Sequence, residues 1–384
     1  MKFRIVWLAT VFIIFVLSCD KRQAKQSNTV VLSLDSVVKS VEDTAEFNGN
    51  VLVSKNGNII YQRSFGYANF DTKAKLNDSS LFELASVSKQ FTAMAIMILK
   101  ERGLLNYDDD VKKYIPELPY KEMTIRHFLT HTSGIPAYEP EFDKGWDQMK
   151  IAFNDDMIKL LIKNKPRVLF KPGEKWEYSN TAYALLATVI ERVSKKNYGK
   201  FLAENIFSPL QLKRTQVYNT RRSSTETVPN YAFGYIYSDS LKKFLLPDSV
   251  KKLHFVYTLD GIVGDGTVNS TTSDLFLWDQ SLYTEKLVKK NTLEEAFSPA
   301  RLADGTIYQY GYDGAIHQYG FGWGIAKDSV LGKFVHHSGG WPGYATYIRR
   351  YIDRNDCLIV LSNNDGKGMR SAIKEIEKRL KRLK

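Results

Sequence analysis

Strand-forming segments occupy both ends of this 384-residue chain, and a largely helical stretch separates them. Near the N-terminal end, Asn50 to Ala68 reads as a hairpin. Val51 and Val53 alternate with other residues, as do Ile59 and Tyr61, around the turn Lys55-Asn56-Gly57-Asn58. From Tyr319 onward come glycine-punctuated strands at Phe321 to Ala326, Lys333 to His337, Tyr344 to Tyr351 and Cys357 to Ser362. Between them lie apolar helices, Ala85 to Arg102 ended by Gly103 and Thr181 to Val193, among Pro- and Gly-containing loops. A further helix is expected over Val31 to Phe47. Short antiparallel strands need partners, so the two ends are expected to share one sheet. The fold class is therefore mixed α/β (α+β). An antiparallel sheet is flanked by N- and C-terminal helices, and a mostly helical subdomain, roughly residues 104–260, is inserted between its strands. Residues 31–384 are read as a single domain.

The N-terminus predicts where that domain works. Lys2 and Arg4 form a positive start, and the apolar run Ile5 to Leu17 follows. As a helix the run is only about 20 Å long, short of the ~30 Å hydrocarbon core, so residues 1–18 read as a signal peptide. Val16-Leu17-Ser18-Cys19 resembles a bacterial lipobox, relaxed at Leu17, which implies lipidation at Cys19. The alternative is an ordinary secreted protein in which Cys19 is incidental. Residues 19–30 are polar and read as a tether. The expected location is the bacterial cell envelope, with the chain lipid-anchored to a membrane.

The net charge of +12 does not make this a nucleic-acid binder. Two of those charges, Lys2 and Arg4, belong to the leader. In residues 367–384 eight Lys and Arg face only Glu375 and Glu377, which leaves the body with about +4. Met369, Ile373, Ile376, Leu380 and Leu383 recur at helical spacing, so this tail is expected to dock one apolar face and keep a solvated basic one. Attraction of that basic face to anionic lipid or envelope polymer is the alternative.

The hydrolase elbow Gly-x-Ser-x-Gly is absent from the chain. Ser-x-x-Lys, the other acyl-transfer signature, begins at Ser18, Ser36, Ser86, Ser240, Ser249 and Ser371, so context must choose among the six. Only Ser86-Val87-Ser88-Lys89 opens a strongly apolar helix, Phe91 to Leu99. A serine in a first turn sits among unpaired N–H groups at the positive end of the helix dipole, which favours charge developing on an attacked carbonyl oxygen. Lys89, three residues on, shares its face at about 5–6 Å between Cβ atoms, where a desolvated amine assists deprotonation. Taken alone, the pair also reads as a capping serine and a snorkelling lysine.

Two further stretches bear on that choice. Tyr178-Ser179-Asn180 precedes an apolar helix, and His337-Ser338-Gly339-Gly340 follows a short strand. The order Ser86, Tyr178, His337 resembles the serine β-lactamase and penicillin-binding-protein superfamily, in its class C-like branch. The stretches Thr124 to Gly134, Gly264 to Thr271, Tyr319 to Gly324 and Val360 to Asn364 resemble that branch as well. The resemblance covers roughly residues 45–365. It implies that Ser86 becomes acylated, with Lys89 and Tyr178 as the acid/base pair. Asn180, His337, Ser338 and Gly339 would contact substrate, and the backbone N–H groups of Ser86 and Gly340 would form the oxyanion hole. A free phenol titrates near 10, so the role of Tyr178 requires positive charge beside it.

Where members of the superfamily carry Lys-Thr-Gly or Lys-Ser-Gly, this chain has His337. A mostly neutral imidazole attracts a substrate carboxylate less than a permanent cation does. The expected function is an envelope-anchored serine hydrolase acting through an acyl-serine on esters, small amides or D-amino-acid peptides. The alternatives are a β-lactamase, or a penicillin- or peptidoglycan-binding protein with little turnover. The expected partners are a small-molecule or peptide substrate and, through Cys19, a membrane, but no nucleic acid. No cofactor or metal is expected: His127 and His131 stand four apart without the glutamate of a helical zinc motif, and are assigned to holding their loop by hydrogen bonds.

Overall fold

The computed structural model describes residues 34–36, 47–219, 228–312, 315–366 and 368–382. The signal peptide, Cys19 and the tether lie outside the described residues, as does most of the expected first helix, of which residues 34–36 are helical. Among the described residues no helix is long and apolar enough to cross a membrane.

The N-terminal strands β1 (Gly49–Lys55) and β2 (Asn58–Phe65) form the expected hairpin. Asn56 and Gly57 at its turn both have positive φ, as a two-residue turn matching the strand twist requires. The inserted segment contributes β3 (Phe82–Glu83), β4 (Gln216–Val217), β5 (Ile236–Ser238), β6 (Lys243–Leu245) and β7 (Val268–Ser270). These make two small sheets apart from the main one. The C-terminal part supplies β8 (Tyr310–Tyr312), β9 (Ala315–Tyr319), β10 (Gly324–Asp328), β11 (Gly332–Trp341), β12 (Tyr344–Tyr351) and β13 (Asp356–Ser362). The main sheet has eight antiparallel strands in the order β2-β1-β13-β12-β11-β10-β9-β8. Chain from both ends therefore meets at the β1–β13 pairing, and residues 66–309 are inserted between sheet strands.

β13 is buried along its whole length and reads as an apolar run, because both faces of the sheet are covered there. On one face lies the C-terminal helix Met369–Arg382, with Met369, Ile376 and Leu380 packed with Val51, Val53, Leu358 and Val360. Its Glu377 pairs with Arg349 at 2.7 Å and its Lys381 with Asp328 at 2.6 Å. On the other face is the larger core. At its centre the helix Lys89–Glu101, buried all round from Lys89 to Leu99, packs on the helix Asn180–Ser194. Burying each large aliphatic side chain contributes roughly 1.5–3 kcal/mol, so the apolar character of 91–99 is what draws the start of this helix inside.

Three element boundaries differ from the sequence reading. Ser86 sits in a 3₁₀ turn, Ala85–Ser88, that leads into the α-helix at Lys89. The strand expected from Phe321 starts at Gly324, because Phe321 and Gly322 turn the chain, with Gly322 at φ +74°. The strand expected to stop at His337 continues to Trp341, so Ser338, Gly339 and Gly340 lie on a strand. The edge strand β8 and its neighbour β9 went unrecognised because they are short and lack a clear apolar alternation.

Candidate active site

The turn that carries Ser86 is held from three sides. Ala85 has φ +48°, an unfavourable conformation for a residue with a Cβ. Such strain persists where surrounding bonds over-determine the backbone. Leu84 N–H donates to Val268 O (2.9 Å), the Thr346 hydroxyl donates to Leu84 O (2.6 Å), and Val268 N–H donates to the Ser88 hydroxyl (3.0 Å). β11 runs beside this turn. A Cβ at Gly339 would lie 2.2 Å from both Leu84 O and the Thr346 hydroxyl, so this glycine lets the strand close on the turn. At Gly340 a Cβ would meet nothing within 4 Å, and Gly340 lines the cleft. Ser338, on the same strand, also lines it.

Lys89 is completely buried, and its three donors meet three acceptors. Nζ donates to Ser86 Oγ (3.2 Å), Asn180 Oδ1 (2.9 Å) and the backbone oxygen of Asp265 (2.7 Å). Asn180 is fixed in turn, since its Nδ2 donates to Glu139 Oε1 (2.8 Å). The Asp265 carboxylate accepts from the Tyr138 hydroxyl (3.0 Å). Burial pushes Asp265 up to about 6; Lys89 opposes that shift and Glu139 adds to it. Glu139, Tyr138 and Asp265 escaped the sequence reading as individuals, although the stretch around Asp265 was among those that carried the resemblance.

Tyr178 lines the cleft together with Ser86, and Lys89 Nζ lies 4.9 Å from the centre of its ring. Its hydroxyl is buried and makes no hydrogen bond, to Ser86 or to any other protein group. The segment that carries it is clamped by His131, whose backbone oxygen accepts Glu177 N–H (2.9 Å) and whose Nδ1 accepts Ser179 N–H (3.1 Å). The His131 ring lies 4.3 Å, centroid to centroid, from the Tyr178 ring. An Nδ1 that accepts leaves the proton on Nε2. Burial, with Lys89 adding to it, holds this imidazole well below the usual histidine range and therefore neutral. His127, by contrast, belongs to the cap of its own helix, accepting Thr124 N–H at Nδ1 (3.2 Å).

His337 is neutral as well. Burial first, then Lys89, pushes it down to about 3. Its Nδ1 contacts the Ser338 carbonyl at 2.7 Å and must be the donor there, so Nε2 accepts from the Tyr319 hydroxyl (2.8 Å). Burial raises Tyr319 well above the usual phenol range, which keeps it a donor. Both ring nitrogens are thus engaged, and His337 brings no positive charge to the cleft.

The β-lactamase family matches residues 35–381. This chain belongs to that family. Over 332 residues it is 45% identical to penicillin-binding protein 4* of Bacillus subtilis (strain 168), covering 86% of this chain and 71% of that protein. Among solved structures it resembles the octameric penicillin-binding protein homologue from Pyrococcus abyssi, with 27% identity and a TM-score of 0.75, covering 90% of this chain and 76% of that one. It shares its fold with EstCE1, a hydrolase with promiscuous acyltransferase activity, at a TM-score of 0.73 and 19% identity, covering 92% of this chain and 99% of that one. The family is one of serine hydrolases, and this chain is a serine hydrolase of that family; the likeness to EstCE1 shows the fold.

Proposed function

We propose that the chain works through an acyl-Ser86 intermediate on esters, small amides or D-amino-acid peptides, at the bacterial envelope. The observation that carries this reading is the bonding of Lys89 to Ser86, Asn180 and the Asp265 carbonyl. An ammonium whose three protons are all engaged orients Ser86 and offers positive charge, and it leaves proton transfer to the phenol beside it. Tyr178 acts in the phenolate form that this positive charge favours: it takes the Ser86 proton as Oγ bonds to the carbonyl carbon, and the phenol so formed delivers that proton to the departing oxygen or nitrogen. Water reverses the sequence and frees the acid. The N–H groups of Ser86 and Gly340 are the proposed oxyanion donors, each worth about 3–4 kcal/mol.

The neutrality of His337 supports uncharged esters and amides over substrates recognised through a carboxylate. The envelope part of the proposal rests on residues 1–30 alone: a leader over 1–18, a lipidated Cys19 and a tether over 19–30, ahead of the domain 31–384. A fluorophosphonate probe and a p-nitrophenyl ester test the chemistry. Wild type is expected to be labelled at Ser86 and to turn the ester over, and Ser86→Ala to do neither; equal reaction by both proteins would overturn the reading. The kinship with a protein named for binding penicillin favours a second reading, an acyl-enzyme that persists. After mixing with penicillin, a lasting adduct on Ser86 seen by mass spectrometry would support that alternative.

A further inference from the structure

The cleft at Ser86 is divided into two cavities, and among the described residues only Ser86 and Gly340 line both. The smaller, about 50 Å³, lies on the side of Asn180, Tyr138 and Asp265. The larger, about 370 Å³, lies on the side of Tyr178 and His337. Building on the acyl-serine reading, we propose that the larger cavity is the leaving-group subsite and takes a neutral aromatic alcohol or amine, so that the substrates are aryl esters and aryl amides of short acyl groups.

The direction follows from proton transfer. The departing atom receives its proton from Tyr178, and Tyr178 lines only the larger cavity. The leaving group therefore extends there, and the acyl group occupies the smaller space. A water needs about 10–15 Å³ on this measure, so 50 Å³ holds roughly three or four heavy atoms, the size of an acetyl or propionyl group. In the step itself the Ser86 Oγ–acyl carbon bond forms and the bond from that carbon to the leaving oxygen or nitrogen breaks. The Ser86 proton leaves with the aryl alcohol or amine through Tyr178. In the second step the oxygen of a water molecule bonds to the acyl carbon as the Ser86 Oγ–acyl carbon bond breaks; a proton of that water passes through Tyr178 to Ser86 Oγ, and the carboxylic acid leaves.

The class of leaving group follows from the walls. Trp176, Tyr178, Tyr310 and Tyr319 line the larger cavity with His336 and His337, and no Asp, Glu, Lys or Arg is among the described residues that line it. Burial keeps both imidazoles uncharged. Trp176 is held flat by Tyr308, 5.0 Å away at 9°, and Tyr310, 5.4 Å away at 14°, so this wall is ordered before substrate arrives. A planar ring gains stacking and edge contacts on such walls. An anionic group would lose its water and find no cation among the described residues of these walls, and the three donors of Lys89 are already taken. Two buried donors in the same walls, Trp176 Nε1 and the Tyr178 hydroxyl, have no hydrogen-bond partner, and the oxygen of an ester would supply one.

The test uses the whole protein with phenyl acetate, 2,2,2-trifluoroethyl acetate and 4-carboxyphenyl acetate. Wild type is expected to prefer phenyl over 4-carboxyphenyl acetate by about tenfold or more in kcat/KM, although the carboxyphenol is the better leaving group. Trp176→Leu and Tyr310→Leu are each expected to lower kcat/KM for phenyl acetate by about tenfold, chiefly through KM. Both should lose clearly less on trifluoroethyl acetate, so that the preference for the phenyl ester falls by about fivefold or more, and circular dichroism reports that the variants are folded. Equal losses on the phenyl and trifluoroethyl esters, or equal use of phenyl and carboxyphenyl esters, would overturn the subsite while the hydrolase reading stands. Failure of wild type on all three esters would overturn both.

Discussion

On the Lys89 side of Ser86 the charged and amide groups around the nucleophile are paired off, with only the Thr267 hydroxyl unpaired among the described residues lining the smaller cavity. On the Tyr178 side two lining groups of the larger cavity are left open. Lys89 meets three acceptors, Asn180 bridges Lys89 and Glu139, and the Asp265 carboxylate is held by Tyr138. Across the cleft, the Tyr178 hydroxyl, Trp176 Nε1 and His131 Nε2 are buried without partners. Unsatisfied buried groups are costly and uncommon, so the Tyr178 hydroxyl and Trp176 Nε1 in one cavity wall, with His131 Nε2 on the ring packed against Tyr178, are informative. The paired side acts as a rigid mount for the nucleophile, and the unpaired side is completed by substrate.

The hardest break in this comparison is removal of either acid/base partner. Lys89→Met and Tyr178→Phe are each expected to cut kcat by about 10³-fold or more, and the double variant should be little worse than the poorer single one, because the two act as a unit. Losses that multiply would show two independent roles.

A smaller effect is expected at the clamp. His131→Phe keeps a ring against Tyr178 but removes the acceptor for Ser179 N–H, so kcat should fall by about 10- to 100-fold with KM little changed. His131→Asn, whose Oδ1 offers an acceptor near the lost Nδ1, should recover part of the activity. A fall in KM-limited binding alone, or no rescue by Asn, would count against a positioning role.

Smallest are the linked changes of stability with pH, which have opposite signs for two buried groups. Asp265 titrates at about 6 when folded, against an ordinary aspartate value near 3.9. The folded protein therefore holds the extra proton between those values, and Asp265 costs stability as pH rises through about 4 to 6. Asp265→Asn should remove that decline and, above pH 6, raise the urea midpoint by the equivalent of about 1–3 kcal/mol. A midpoint lowered at all pH values would refute it. His337, at about 3 when folded, works the other way. The unfolded chain binds the proton first, so stability falls as pH drops from about 6.5 toward 3, by at most about 1.4 kcal/mol per pH unit for this imidazole. His337→Phe should flatten that acid limb in urea titrations, and an unchanged limb would contradict the assignment.

Much of the fold was legible before any coordinates because it is written in local patterns. The hairpin turn at Asn56-Gly57, the apolar run 91–99 and the 4,3,4 spacing of the C-terminal helix each encode an element and its buried face. The edge strand β8 and its neighbour β9 were illegible, because such short strands carry no period distinguishable from a loop. In the site, Ser86, Asn180 and Gly340 line the cleft with Tyr178 and His337, and the buried Lys89 bonds to Ser86 and Asn180 from below the surface; the roles that the motifs suggest for them remain the proposal. Glu139 and Tyr138 could not be found this way: each acts on a group far away in sequence, and nothing in its own neighbourhood marks it. Tyr319 opens one of the stretches that carried the resemblance, but its bond to His337 shows only in the packed sheet.

By itself the sequence determined which segments become strands and helices, that both chain ends contribute to one sheet, and which serine and lysine open a buried helix. Those outcomes depend on periodicity, turn residues and short-range spacing, all of which are properties of neighbours. Tertiary structure alone decided that His337 is locked neutral between Ser338 and Tyr319, that Lys89 spends all three protons, and that the cleft divides into a small cavity and an aromatic one. Charge state, hydrogen-bond saturation and cavity shape depend on which distant groups converge within a few ångströms, and that convergence exists only once the chain is packed.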